Sequence, residues 1–346
     1  MSASNKKVYV GMSGGVDSSL SAALLVEQGY DVTGVYMKNW TKDLPGMECP
    51  WQEDVADAKR VAVQLGIDFK VYDFENEYFD RVVKYMLKEY SEGRTPNPDI
   101  MCNQEVKFAL FLDSALQDGA EMVATGHYAQ TKDGQLLKAK DDQKDQTYFL
   151  YRVSSAALTK TLFPLGSYTK KEVREMAKKR GLFTAQKKES MGICFVGKVG
   201  IKDFLSQYIE TKIGEIIDID TKQTVGQHDG AIFYTIGQRH GLSVGGGLPY
   251  YVVGKDMQKN EIYVSRDLNN HNLWLTDINL SHMYWINEKP KNGSKYHVRL
   301  RHRAPLVECR IEGSSLKIAE PQRAIAPGQS AVLYSDNICL GGGIIA

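Results

Sequence analysis

Along the first 130 residues the apolar positions switch repeatedly between two periods. Residues 7 to 12 (Lys-Val-Tyr-Val-Gly-Met) form a short continuous apolar run, as expected of a strand buried on both faces. Glycines follow, and then Leu20, Ala23, Leu24 and Leu25 recur at helical spacing up to Gly29. The same order predicts a strand over 31–37, a helix over 52–66, a strand over 68–74, helices over 76–91 and 104–117, and a strand over 121–126. Strands alternating with helices of this length predict an α/β fold, a doubly wound parallel sheet covered on both faces. After about residue 210 the texture changes to short alternating runs at 215–219, 231–235, 250–253 and 261–264. Runs at 295–303, 306–311, 315–320 and 330–334 carry this to the end, predicting small barrels or sandwiches. The expected organisation is a nucleotide-type α/β domain over 1–205, including a basic helical segment at 168–190, followed by two smaller, mainly β domains at 206–268 and 269–346. The stretch 242–249, with three successive glycines, reads as a mobile loop.

Composition narrows the class only by exclusion. Lysine plus arginine (43) and aspartate plus glutamate (42) nearly cancel, so any nucleic-acid surface must be a local patch. No long apolar run and no apolar signal core follow the first residues, so a cytoplasmic protein with no membrane contact is expected. Five scattered cysteines (Cys49, Cys102, Cys194, Cys309, Cys339) form neither a disulfide framework nor a Cys-x-x-Cys clip, which argues against an iron–sulfur cluster.

The first strand empties into Gly11-Met12-Ser13-Gly14-Gly15-Val16-Asp17-Ser18-Ser19 just where a helix begins. Adjacent glycines let successive N–H groups point at one spot, and the helix adds its positive end, making an anion cradle. No lysine follows the glycines, so this is not the loop ending in Gly-Lys-Ser/Thr. It resembles instead the pyrophosphate loop of enzymes that split ATP between its α and β phosphates. That resemblance implies ATP and Mg²⁺, with Asp17 helping to place the metal. In such a sheet the adenine should lie over the strand ends near Met37 and Gly126.

Two further segments carry thiols. Arg94 to Asn103 holds two prolines, Asp99 and Cys102, and is expected to be irregular. The second, 188–197, sets Cys194 in a glycine-flanked loop near lysines that favour a thiolate. Cys309 and Cys339 alternate with apolar residues and read as inert core, while Cys49 is ambiguous.

Taken together, Gly11 to Ser19, Met37-Lys38-Asn39-Trp40, Gly93 to Asp99, Thr125-Gly126-His127-Tyr128, Lys144-Asp145-Gln146, Gly192-Ile193-Cys194-Phe195 and Pro327-Gly328-Gln329-Ser330 resemble the signatures of the bacterial tRNA-specific 2-thiouridylases over essentially the whole chain. The resemblance implies an adenine nucleotide α-hydrolase-like fold and 2-thiolation of the wobble uridine of tRNA. It also implies that Cys194 carries a persulfide, that Cys102 is its catalytic partner through a disulfide, and that Asn97, Pro98 and Asp99 contact the target base. His127, Lys144, Asp145, Gln146, Arg301, His302 and Gln329 are implied as further tRNA contacts. Implied partners are lysine, glutamate and glutamine tRNAs and a sulfur-relay carrier or cysteine desulfurase.

Residue charges offer some independent support. The stretch 170–188 has eight basic and two acidic residues, with Lys171, Arg174 and Lys178 on one helical face; a solvated face and a phosphate contact are both open. His297 to Arg303 alternates with period two, which predicts Arg299, Arg301 and Arg303 in one row along a strand. Rival readings are another ATP-splitting synthetase acting on a small molecule and a nucleotide-sensing RNA-binding protein without turnover.

Overall fold

The computed structural model describes residues 6–43, 49–188, 200–242, 244–245 and 247–346. Its first layer is a five-stranded parallel sheet made of β1 (Lys7–Gly11), β2 (Asp31–Lys38), β3 (Asp68–Asp73), β4 (Met122–Thr125) and, after a short hairpin of β5 (Gln130–Lys132) and β6 (Gln135–Leu137), β7 (Thr161–Leu162). The order is β3-β2-β1-β4-β7. Central β1 is buried on both faces, which explains its unbroken apolar run, whereas edge strand β3 has only half-buried and exposed positions. Helices α1 (Val16–Glu27) and α2 (Trp51–Leu65) follow β1 and β2; α2 turns Ala58, Val61 and Ala62 inward at helical spacing.

The smaller domains are β-rich as expected. One four-stranded sheet joins Gly214–Asp218, Thr224–His228, Tyr251–Asp256 and Glu261–Ser265. An eight-stranded sheet joins Trp274–Trp285, Lys295–Arg299, Val307–Glu312, Ser315–Arg323, Ser330–Ser335 and Ile338–Ile345 with β6 and β5. The first and last strands of the C-terminal domain also pair, closing the sheet on itself. Because β6 pairs with Ile338–Ile345, the barrel sheet continues into the α/β domain. The main apolar core is shared accordingly, running from Tyr9, Cys102, Phe111 and Tyr148 to Val332, Tyr334 and Cys339.

Three expectations are corrected. The 94–103 stretch is not irregular throughout, because a helix starts at Pro98 with Asn97 as N-cap, its side chain accepting from Asp99 N. Proline is tolerated at a first helical position, where no N–H is required. Residues Ala231–Phe233 form a 3₁₀ turn instead of a strand. Finally, the strand from Lys295 stops at Arg299 and the chain turns, with Arg303 at φ +63°, so no row of three arginines forms. The glycine stretch at 242–249 lies partly outside the described residues.

Candidate active site

The winding of the parallel sheet reverses between β1 and β4, and the crevice at their carboxyl ends is where such a sheet takes a ligand. Both strands end in segments singled out by the sequence. Gly14 adopts φ +71°, and a Cβ there would stand 2.5 Å from the Asp54 carbonyl oxygen of α2, so only glycine fits. Gly15 caps α1 with extended backbone and no side-chain bond, leaving the first-turn N–H groups to an outside acceptor. Ser18 Oγ accepts from Ser13 N at 3.1 Å and donates to Gly15 O at 3.2 Å, while Ser19 Oγ donates to Gly15 O at 2.8 Å, drawing the loop around the helix start. Met12 and Val16 are buried in the core and offer only backbone. The arrangement has the geometry that can cradle a phosphate.

Met37 and Gly126, the residues expected on the adenine side, flank this loop. A Cβ on Gly126 would lie 2.8 Å from Ser18 N, so the end of β4 closes directly on the α1 start and leaves no room for a side chain. The Met37 methyl stands 2.9 Å from where a Cβ on Gly11 would be, placing that side chain beside the loop. Asp17, the expected metal ligand, accepts from Lys170 Nζ at 2.8 Å on both oxygens and from the Tyr128 hydroxyl at 2.9 Å. Among the described residues no cluster of three or more His, Cys, Asp or Glu could hold a metal ion. Asp17 is a carboxylate at the loop suited to a Mg²⁺ that arrives on nucleotide phosphates, the usual habit of Mg²⁺ in phosphate sites.

The second wall is the helix that begins at Pro98 and runs through π-helical Cys102–Leu110 into Phe111–Gln117. π segments recur at functional sites. Asp99, Cys102 and Asn103 are three and four residues apart and share a face. Burial pushes the Asp99 carboxyl above its ordinary range, and the Lys107 ammonium pulls it part of the way back. Burial, reinforced by the same ammonium, holds the His127 imidazole well below its ordinary range. His127 Nδ1 shares a 2.8 Å hydrogen bond with Thr125 Oγ1, and the ring meets Phe108 at 5.7 Å. Asp99, Lys107, His127 and the cradle thus share one neighbourhood.

The thiols divide as their surroundings dictate. Cys102 is only 2 % exposed, packed in the core with Ile100 and Val106, so the expected reactive thiol is covered in this conformation. Cys194 lies outside the described residues. Cys309 and Cys339 are buried, and desolvation, with Glu308 nearby, pushes the Cys309 thiol up to about 12, as inert core thiols should behave. Cys49 is half-buried, its thiol raised mainly by desolvation.

The expected RNA residues fall into two groups. Asp145 is buried and takes Arg299 Nη1 at 2.8 Å, Thr147 Oγ1 at 2.8 Å and Ala139 N at 3.1 Å. Gln146 binds the backbone of Tyr128 through its side-chain oxygen and its own N–H, each at 2.9 Å. Gln329 donates to Thr95 O at 2.7 Å, and Thr95 N donates to Pro327 O at 2.8 Å, so this barrel turn braces the loop before Asn97. Lys144 is half-buried, its backbone N–H donated to Asp141 O at 3.0 Å. Arg301 is exposed and donates to the Arg323 and Ala324 carbonyls at 3.0 and 2.8 Å. The His302 ring meets Phe149 at 4.4 Å, tilted by 41°, and burial, with Arg303 and Arg299 nearby, pushes its imidazole down to about 4. Arg301, His302 and Arg303 line an open cavity of about 250 Å³ with Gln322 and Arg323.

Sequence reasoning missed Lys107, Tyr128 and Lys170 as members of the site. Tyr128 belongs to a quoted motif and Lys170 to the basic run, yet no periodicity distinguishes either from its neighbours. The basic run itself is largely engaged within the chain. Arg174 donates to the Ala185 and Lys187 carbonyls, Arg180 pairs with Glu27 at 2.6 Å, and Lys187 pairs with Asp57 at 2.6 Å and Asp54 at 2.9 Å. Lys171 and Lys178 remain exposed.

Residues 6–198 match the family model described as tRNA methyl transferase HUP domain. Residues 202–266 match one described as tRNA methyl transferase PRC-barrel domain, and 275–345 one described as Aminomethyltransferase beta-barrel domain. The chain is 48 % identical to a Methylobacillus flagellatus protein named tRNA-specific 2-thiouridylase MnmA, over 98 % of each chain. It is 47 % identical to proteins of the same name from Dechloromonas aromatica, covering 99 % of this chain and 100 % of that one, and from Streptococcus thermophilus, covering 99 % and 95 %.

Proposed function

Because the chain belongs to the tRNA-specific 2-thiouridylase family, we propose that it converts the wobble uridine of tRNA to 2-thiouridine at the expense of ATP. The observation that carries this reading is the meeting of a phosphate cradle with Asp99, Lys107 and His127 at one sheet switch point. The matching domain model is described in terms of methyl transfer, but a cradle of N–H groups at a helix start suits a polyphosphate.

A pyrimidine C2 oxygen is a poor leaving group, and adenylation makes it one that departs as AMP. Ser13 to Ser19 hold the β and γ phosphates while the uridine O2 forms a bond to the α phosphorus. The bond from that phosphorus to the bridging oxygen breaks, and its electron pair leaves with pyrophosphate. Asp17 would hold a Mg²⁺, which when bound would supply charge neutralisation. Asp99, its carboxyl raised by burial, accepts the N3 proton. The terminal sulfur of a Cys194 persulfide then bonds to C2 and AMP leaves with the former O2. Cys102 attacks the inner sulfur, so that C2 keeps one sulfur and a Cys102–Cys194 disulfide remains for an external thiol to reduce. Since Cys102 is covered, this step requires the helix face or its cover to shift when RNA binds. The uridine must also leave its stack to enter.

RNA contacts in this reading come from Lys144, His127, Arg301 and His302, while Asp145, Gln146 and Gln329 shape the loops that carry them. The tRNAs for lysine, glutamate and glutamine, a sulfur-relay carrier or desulfurase, and a cytoplasmic site of action belong to the same reading. Among the described residues no helix is long and apolar enough to cross a membrane.

The decisive assay supplies labelled persulfide sulfur, ATP and tRNA to wild type, Cys102→Ser and Cys194→Ser, then digests the RNA and measures 2-thiouridine. Wild type should thiolate and both variants should fail. Thiolation by either variant at the wild-type rate would overturn the assigned roles of the thiols.

A further inference from the structure

Asn103 has no part in the chemistry above, yet it stands one helical turn after Asp99 and is only 2 % exposed. Its Nδ2 donates to the Phe149 carbonyl at 3.0 Å, which fixes the amide, because turned over it would set two acceptors face to face. Oδ1 is consequently a pure acceptor, and it is buried with no hydrogen-bond partner among the described residues. An acceptor left unmatched in the interior costs stability, and the few that proteins keep call for a role.

Position indicates the missing donor. Side chains on a helix lean toward its start, over the residues three and four places earlier. For Asn103 these are Ile100, whose side chain is apolar and buried in the core, and Asp99. The chain is helical across this step, since Cys102 N donates to the Pro98 and Asp99 carbonyls. An ionised Asp99 offers Oδ1 nothing, because both groups only accept, whereas a protonated Asp99 has one O–H to give. Burial, which raises the Asp99 carboxyl against the pull of Lys107, brings that neutral form within reach. Among the charged and titratable groups about this face, Lys107 lies one turn further along the helix and Cys102 directly precedes Asn103. His127, from the end of β4, shares its Nδ1 with Thr125, and the Tyr148 hydroxyl of the short helix Thr147–Leu150 is donated to Ser330 O. Arg81 and Arg152 are engaged by Glu105 and Gln104. None of these donates to Oδ1.

We propose that Asn103 is the positioning residue for the base: when Asp99 takes the N3 proton of the uridine, the new carboxyl O–H is donated to Asn103 Oδ1. The electron pair of the N3–H bond stays with the ring and strengthens O2 as a nucleophile toward the α phosphorus. The proton waits on Asp99 and returns to N3 of the thiolated base, so none is gained or lost at this pair over the cycle. The inference rests on the reading of Asp99 as the base.

The test follows tRNA-dependent pyrophosphate release against pH in full-length wild type, Asn103→Leu, Asn103→Asp and Asp99→Asn, with folding verified by circular dichroism melts. In wild type kcat/KM should fall as pH drops through the Asp99 pKa. Asn103→Leu removes the acceptor that favours the neutral carboxyl, so the acid limb should move about one pH unit lower and the plateau should fall roughly 2- to 10-fold. Asn103→Asp sets a second carboxylate beside the first, and two such groups share one proton, so the limb should move to higher pH. Both substitutions give up the bond to the Phe149 carbonyl, and a merely structural role would therefore move them alike. Should Asn103→Leu not fold, Asn103→Met, which is apolar and more adaptable, carries the same measurement. A limb that the apolar variant leaves in place or raises, or that Asn103→Asp leaves in place or lowers, would overturn the proposal. An acid limb that persists at its wild-type position in Asp99→Asn would bring down the reading of Asp99 itself, and this inference with it.

Discussion

Replacing Asp145 with asparagine tests how the barrel is joined to the α/β domain. The Asp145 side chain is fully buried and that of Arg299 is 8 % exposed, so their 2.8 Å pair lies out of water. Asparagine keeps the shape and an acceptor for Ala139 N, and its amide nitrogen, in place of Oδ2, can donate to Thr147 Oγ1. What it removes is the charge opposite Arg299, whose Nε already has no partner among the described residues. Breaking one side of a buried pair costs about 3–5 kcal/mol, because a cation is left in low dielectric. An exposed pair contributes at most about 1 kcal/mol. The expected loss is therefore about 3–5 kcal/mol, and Asp145→Asn/Arg299→Met, which also removes the stranded cation, should recover at least half of it.

Urea unfolding followed by tryptophan fluorescence is a suitable assay. Trp40 and Trp51 report on the α/β domain and Trp274 and Trp285 on the barrel, so single-tryptophan backgrounds resolve the two transitions without assuming two-state behaviour. A loss below about 1 kcal/mol would show the pair to be no better than a surface one. Were tRNA affinity to fall while stability stayed unchanged, Asp145 would be an RNA contact and the strut argument would be wrong.

Other outcomes follow from the same geometry. Gly126→Ala should weaken ATP binding at least about tenfold, since the new methyl meets the Ser18 N–H region of the cradle; equilibrium nucleotide binding with the fold confirmed by circular dichroism decides this. If Asp99 acts as a base, thiolation kcat/KM falls as pH drops through its raised pKa, and Lys107→Met, by removing the cation that lowers that pKa, should move the acid limb to higher pH. An unmoved limb, or one displaced downward, would disprove the coupling. For RNA, Arg301→Met should reduce the slope of log affinity against log salt by about one, whereas His302→Phe should leave the slope intact, because an imidazole held near pKa 4 is neutral at pH 7 and acts by stacking. Filter binding over a salt series distinguishes the two.

The alternation of strands and helices was legible because both faces of a parallel sheet are buried, giving β1 a nearly unbroken apolar run and β2 buried positions from Val32 to Tyr36. The tight strand-to-helix turn at Gly14 and Gly15 was legible for a local reason: paired glycines let the backbone take the positive φ that Gly14 adopts. The stretch carrying Asp99 and Cys102 read as irregular because of its two prolines, yet it is helical from Pro98, which sits at the one helical position that needs no N–H. Long-range pairings were less accessible. Nothing near position 299 indicates that its guanidinium pairs with a carboxylate 154 positions away, so the arginines read as an RNA-facing row when one of them is a buried strut. Lys170 was hidden similarly, being one lysine in a run until the fold places it on Asp17. The hairpin of β5 and β6 was missed because two three-residue strands carry too few positions to show a period.

The parallel sheet supplies the crevice, but its loops are steadied from outside. Arg299 of the barrel holds Asp145, and the next residue, Gln146, clamps the Tyr128 backbone, while the Tyr128 hydroxyl reaches Asp17 in the phosphate loop. On the other wall Pro327 and Gln329 of the barrel hold Thr95, and Thr235 of the central domain meets the Thr95 hydroxyl at 2.9 Å. Arg94 adds a bidentate pair with Glu89 at 2.7 Å, fixing the approach to Asn97. Each wall of the crevice thus ends in a loop whose position depends on a residue of a β domain. Buried polar contacts of this kind tolerate little displacement before a partner is left unsatisfied. The barrel whose turn after Arg299 carries Arg301 and His302 therefore also sets the spacing between the Gly14 loop and the Asp99 face, and this physical link joins three domains around one crevice.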